Sequence, residues 1–439
     1  MQKPVHRIVD LLDPATQHLQ GTSLEDARAL LARDPGEAGR LEGSFAIVAR
    51  DGELVRLARS LDRPLRYFLA KEKDGPLLVV AERIDEIKAC LAAEGHLDQF
   101  HPSYTRMAPA HHVTTIQLVG CPDPNPEYTR FFDPPRGVLG DDLDAIGRAY
   151  VEALLGEVRA WLRDLPADAP LGVLFSGGID SGAVLLAIHH ELLALGQSPA
   201  RLKAFTLDVE GRGADARQAR VFLERTGLEM LGEVLEVGSD ALDPLAAVEV
   251  IEDYKPLDVE CATVLLATLR AIRDRYPDWR YLADGDGGDE NLKDYPIEEN
   301  TELTIRSVVS NRMLYQEGWG VDAIKHSLVY SGGFSRGCVR TWAPTRRLGF
   351  VGFSPFTRPR VIAVAEGIPF DALTRGSHEV LYSLKGEVVS RGFRELLGIE
   401  FPVFEKRRFQ HGAAGEDVFA KRLDESEDVY RRHFGRLHA

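Results

Sequence analysis

The sequence predicts an α/β protein whose larger part is a doubly wound parallel sheet, and three observations carry that prediction. Apolar runs at residues 171–175, 202–209 and 279–283 alternate with helix-like segments that open at Ser181 and span 215–226, the alternation that builds a parallel sheet. Two of the runs end in glycine-rich loops, Ser176-Gly177-Gly178-Ile179-Asp180-Ser181 and Asp284-Gly285-Asp286-Gly287-Gly288-Asp289-Glu290, and carboxyl ends of strands are where such sheets bind ligands. At 439 residues the chain is long enough for two or three domains with sizeable cores.

A strand, a tight glycine turn and a helix N-terminus aim backbone N–H groups and the positive end of a helix dipole at an anion, so the first loop reads as a polyphosphate cradle. No Gly-Lys-Ser/Thr closes it, which excludes the Walker type. Asp180 beside phosphates would repel them unless a hard cation such as Mg²⁺ bridges the two. The six residues resemble the S-G-G-x-D-S pyrophosphate loop of the ATP pyrophosphatases, as in asparagine synthetase B and its β-lactam synthetase relatives. The second loop, roughly a hundred residues further on, resembles that family's S-G-E-G-x-D-E segment.

The resemblance implies an adenine nucleotide α-hydrolase-like fold, ATP and Mg²⁺ as cofactors, and specific residues. Ser176, Gly177, Gly178, Asp180 and Ser181 would cradle pyrophosphate, and Asp180 with Asp289 would hold the metal. Ala204-Phe205-Thr206-Leu207 resembles the adenine-side strand, so that Leu207 would flank the base with Phe175, Asp284 and Gly285. The implied reaction is attack of a substrate carboxylate on the α-phosphorus, release of pyrophosphate, and attack of an amine on the acyl-adenylate. The family places a glutamate base where this chain has Asp286, with a metal ligand or a turn residue as the alternatives at that position; its lactam-forming members use a tyrosine–glutamate pair, for which Tyr254 and Glu252 are the candidates.

Residues 43–87 carry short apolar or alternating runs at 44–49, 54–58 and 77–81, separated by Asp-Gly and Lys-Asp-Gly turns, a β-meander pattern. Gly43-Ser44-Phe45-Ala46, Ala58-Arg59-Ser60, Arg63-Pro64-Leu65-Arg66-Tyr67, Ala81-Glu82 and Met107-Ala108-Pro109-Ala110-His111 follow the order of motifs in a glutamine amidotransferase domain of the N-terminal nucleophile type, which implies an αββα sandwich. The family's nucleophilic cysteine at position 2 has no counterpart in Met1-Gln2-Lys3, and no cysteine precedes Cys90. A degenerate glutaminase-like scaffold is expected, with a Thr22 or Ser23 nucleophile as the alternative. The expected division is 1–130 for this domain, 131–140 for a Pro/Gly-bearing linker, and 141–439 for the synthetase domain. That last domain opens on a long helix capped by Asp141 or Asp142.

Residues 290–439 are mainly helical in pattern. Ser354-Pro355-Phe356 resembles the family's V-P-F element. Lys406-Arg407-Arg408-Phe409-Gln410-His411-Gly412 resembles its K-x-x-F-x-x-G tail, which assigns Lys406 the leaving pyrophosphate; Lys385 is a second candidate. Glu260, where the family bears an arginine, and Lys293-Asp294-Tyr295, where it has Gly-Gly-Tyr, disfavour aspartate as substrate. The expected substrate is a small-molecule or peptide-like carboxylate, with ammonia or an amine as donor. The alternatives are an intramolecular lactam- or macrocycle-forming cyclase and a non-catalytic nucleotide-binding regulator.

A net charge of −15 argues against nucleic acid as a partner. No apolar run approaches membrane-spanning length and residues 1–10 lack a signal-peptide pattern, so a cytoplasmic protein without membrane association is expected. Cys90, Cys121, Cys261 and Cys338 show no C-x-x-C spacing, against a zinc site or disulfide framework. The resemblance is compatible with a homodimer.

Overall fold

The computed structural model describes residues 6–117, 126–294, 297, 304–310, 341–404, 409–423 and 426–439. The N-terminal part holds two four-stranded sheets. One has the order β1 (Arg7–Asp10), β7 (Leu77–Ala81), β6 (Arg66–Ala70), β8 (Arg106–Met107); the other runs β10 (Glu127–Arg130), β9 (His112–Gln117), β5 (Leu54–Arg59), β4 (Ala46–Asp51). A two-stranded ribbon pairs β2 (His18–Leu19) with β3 (Gly43–Ser44).

Period-two alternation explains the layering. On β4, Ala46 and Val48 face the other sheet while Ile47 and Ala49 pack on Ala27 and Leu31 of the helix Leu24–Arg33. On β7, Leu78 and Val80 join the inter-sheet core, whereas Val79 and Ala81 meet Ile87 and Leu91 of the helix Ile84–Ala93. The result is a helix–sheet–sheet–helix sandwich. Arg66–Ala70 is a full strand between two others.

The second sheet system is five-stranded and parallel throughout, in the order β13 (Gly232–Val237), β12 (Leu202–Val209), β11 (Leu171–Leu174), β14 (Tyr281–Ala283), β15 (Val351–Phe353). Helices cover both faces: Val173 and Ala204 share a core with the helices Leu143–Asp164 and Ile179–Ala194, and Phe205 and Leu282 pack on Val264 and Leu269 of the helix Pro256–Arg275. Asp142 caps the long first helix by accepting from the Asp144 and Ala145 N–H groups. The helix Ala214–Thr226 stops at Gly227, whose φ is 68°.

Two helix glycines set the packing that matters for the site. A Cβ on Gly147 would lie 2.6 Å from the Val388 carbonyl oxygen, and one on Gly392 would collide with Gly147 and Val151. Bare backbone at both positions lets the helix His378–Leu397 lie directly against Leu143–Asp164 and fixes the height of Lys385 over the sheet.

Candidate active site

The two glycine loops leave neighbouring strands, β11 and β14, and meet. Gly177 turns with φ 74° and lies so near the helix Ala214–Thr226 that a Cβ would be 2.7 Å from the Ala219 nitrogen. Gly178 is the N-cap of the helix Ile179–Ala194 and offers no side chain to it, so the first-turn N–H groups carry no side-chain cap. The Ser176 and Ser181 hydroxyls are 3.2 Å apart, and Ser176 Oγ accepts from the Gly178 N–H at 3.3 Å. Phe175 behind the loop donates its N–H to the Phe205 carbonyl at 2.8 Å and stacks edge-on against Phe222.

Asp180 stands in the first turn of that helix, facing the second loop. A Cβ on Gly285 would lie 2.8 Å from the Asp180 Cβ, and one on Gly288 would occupy the place of the Asp180 Oδ1. Those glycines supply room for a carboxylate. Gly287, at φ 100°, supplies the turn into the short helix Gly288–Asn291. Asn291 secures that helix by donating to the Phe356 carbonyl at 2.9 Å.

Lys385 closes the arrangement. Its Nζ is 2.5 Å from Asp180 Oδ2, bonds Asp289 Oδ1 and lies 3.6 Å from Asp294 Oδ2. Burial opposes the ammonium, yet Asp180, Asp289 and Asp294 together hold it well above the ordinary lysine range. A buried cation thus binds the carboxylates from both loops.

Asp284 is buried. Burial pushes its carboxyl well above the usual range, the charge of Asp286 adds to this, and a Ser354 hydrogen bond opposes it. Asp284 Oδ1 accepts from the Asp286 N–H at 3.0 Å, and the Thr341 hydroxyl donates to Asp286 Oδ2. Leu207 is buried on β12. Lys293 pairs with Glu366 at 2.9 Å in the interior, and Glu366 also takes Arg136.

Asp180, Asp289, Ser176, Ser181, Gly285 and Asp286 are therefore brought together at adjacent strand ends. Glu252 and Tyr254 have other partners. Glu252, at φ 52°, accepts from the Ile84 and Asp85 N–H groups at 2.9 and 2.8 Å and pairs with Arg66 and Arg83, so its carboxylate caps the helix Ile84–Ala93 of the N-terminal sandwich. Tyr254 packs edge-on to Phe434, with the Arg431 guanidinium over its ring. A base pair made from these two would first have to release that capping contact. Glu260 is half-buried on the helix Pro256–Arg275. Lys406 and Tyr295 lie outside the described residues; from the same tail, Gly412 abuts the Asp215 carboxylate so tightly that no Cβ would fit.

Lys385 stands where Lys406 is the first expectation from sequence, and Thr341 and Asp294 lie beside the loops with no signal in the sequence. A lysine on one face of an amphipathic helix carries no local mark of such partners.

This geometry agrees with an independent comparison. Residues 156–323 match the family model of asparagine synthase. No curated protein matches the chain. The asparagine synthase-like region contains both loops, and its match supports an ATP-dependent amidation or ligase activity in general. Among the described residues no helix is long and apolar enough to cross a membrane.

The donors around the loops suit a metal. Asp180 and Asp289 already share one cation, so their oxygens converge on positive charge. Among the described residues no three His, Cys, Asp or Glu side chains could hold an ion together. Two carboxylates completed by phosphate oxygens and water are a set that Mg²⁺ accepts.

Proposed function

We propose that the protein is an ATP-dependent carbon–nitrogen ligase that adenylates a substrate carboxylate, releases pyrophosphate and passes the acyl group to ammonia or an amine. The observation that carries this reading is the convergence of Asp180 and Asp289, one from each glycine loop, on a single cation at the ends of β11 and β14. The Gly177–Ser181 loop would bind the β- and γ-phosphates through the first-turn N–H groups of its helix and the Ser176 and Ser181 hydroxyls. Asp180 and Asp289 would hold Mg²⁺, which would neutralise charge on the leaving pyrophosphate. Lys385, bonded to one oxygen of each carboxylate, would add a second positive charge beside the metal. Phe175, Leu207, Asp284 and Gly285 would border the adenosine, and Asp286 would accept the proton of the attacking amine.

The N-terminal sandwich is read as a retained scaffold without glutaminase activity. Cys90 supports this: burial and Glu94 push its thiol up, away from the thiolate that a nucleophile requires. The substrate carboxylate would come from a small molecule or a peptide-like chain, and an amine on the same chain would make the product cyclic.

The test is release of AMP and pyrophosphate from MgATP over a panel of amino acids, diacids and peptides, with ammonium, with glutamine, or with no added amine. AMP with ammonium but not glutamine supports the ligase, and AMP without an added amine supports cyclisation. ADP in place of AMP overturns adenylation.

A further inference from the structure

We infer that the N-terminal domain positions Asp286 through a strut formed by Thr341, Trp342 and Arg346. At one end of the strut the Thr341 hydroxyl donates to Asp286 Oδ2. At the other end three groups from the N-terminal sandwich grip the same short segment. Arg63 lies over the Trp342 ring, 5.6 Å from its centroid; Asp13 Oδ2 accepts from Arg346 at 2.8 Å; and Glu82, itself bonded to Arg63, stands 4.0 Å from Arg346 Nε.

The segment is rigid enough to transmit position. Thr345 Oγ1 donates back to the Thr341 and Trp342 carbonyls at 2.8 Å each, and Thr341 and Thr345 are both buried. The helix Ala343–Arg347 then runs into β15, which pairs in parallel with β14, the strand that ends just before Asp284. Asp286 is thus held from the sheet through its own loop and from the N-terminal domain through Thr341. A hydrogen bond from a neutral hydroxyl fixes the direction of a carboxylate without neutralising it. Thr341 is a positioning residue, and Arg346 anchors it. These contacts give the N-terminal sandwich a physical role that does not depend on glutamine chemistry.

The catalytic consequence rests on the proposed function, but the strut itself does not, and hydrogen exchange separates the two. The full chain without ligand would be compared with Thr341→Val, Thr341→Ser, Arg346→Ala and, as control, Arg360→Ala, which removes a different inter-domain ion pair with Glu42. Amide exchange in residues 284–290 should rise about tenfold or more in Thr341→Val and Arg346→Ala, as expected when a charge-assisted hydrogen bond is lost. Residues 176–181 should change less than twofold, by the same standard of local opening. Thr341→Ser should restore the slow exchange, and Arg360→Ala should leave it slow.

Unchanged exchange at 284–290 in both strut variants overturns the inference, as does equal loosening of both loops. With any substrate that yields AMP, Thr341→Val should slow the amine step and spare ATP–pyrophosphate exchange. Protection of the loop by the strut combined with absence of AMP formation would overturn the ligase reading and leave the strut standing.

Discussion

Lys385 and Asp180 lie 205 positions apart in sequence and 2.5 Å apart in space, and the same ammonium reaches Asp289. Neither loop could bring its carboxylate so near the other without a positive charge between them, since two like charges at that range repel strongly. The lysine therefore holds both loops in register in the ligand-free chain.

Lys385→Met should destabilise the protein in the absence of nucleotide by about 1–3 kcal/mol, less than a fully buried pair because Asp180 and Asp289 are partly exposed. Urea denaturation measures this. MgATP should recover part of the loss, because a ligand that binds only the folded state stabilises it. An unchanged midpoint would mean that the pairing contributes nothing.

Gly288→Ala places a methyl group on the Asp180 carboxylate, and Gly285→Ala brings one to 2.8 Å from its Cβ. Nucleotide affinity should fall by about tenfold or more, the result of shifting a fixed charge by an ångström or so, while the far-ultraviolet circular dichroism stays that of the parent. Full affinity in both variants would show that the loops do not need to touch.

Much of this architecture was legible in the chain. The runs at 202–209 and 279–283 and the capped helix after Asp142 follow from alternation and end signals that are local in sequence, and the structure shows strands at Leu202–Val209 and Tyr281–Ala283 and a helix from Leu143. The three-residue strand Val351–Phe353 was not legible, because three residues give no period. Nor were the partners of Lys385 and Glu252. Glu252 sits in an acidic segment that looks like part of a pocket, yet its carboxylate is committed to N–H groups 168 and 167 residues away. Long-range pairing of charges is a property of the fold, and the sequence around each residue carries no trace of it.

Glu252→Ala should test that commitment. It removes the acceptor of the Ile84 and Asp85 N–H groups and the partner of Arg66 and Arg83, and should cost about 2–4 kcal/mol. The denaturation midpoint should fall, and limited proteolysis should cut more readily next to the helix Ile84–Ala93. A variant as stable as the parent would contradict the capping role.

Stability should depend on pH through Asp253, whose carboxyl is pushed up to about 6 by burial, with Asp258 adding to the shift. Its Oδ1 accepts from the Tyr254 and Lys255 N–H groups, while Oδ2 has no partner among the described residues. A group raised on folding binds its proton more tightly in the native state, so its contribution to stability declines as pH rises from about 4 to 6. Asp253→Asn keeps the Oδ1 acceptor and removes the charge. It should gain on the order of 2 kcal/mol relative to the parent at pH 7 and nothing at pH 4. His438, lowered to about 4 by burial, works in the opposite sense and is common to both proteins, so the difference between them isolates Asp253. A difference independent of pH would contradict the assignment.

The most direct test of the site is calorimetric titration of the full chain with α,β-methylene-ATP, with Mg²⁺ and with excess chelator, in parallel with Asp180→Asn. A single binding event should appear and weaken at least about tenfold when either the metal or the Asp180 charge is removed, since each contributes a charge-assisted contact to the phosphates. Binding indifferent to both would contradict it, because the two loops would then meet for some purpose other than holding a metal–nucleotide complex.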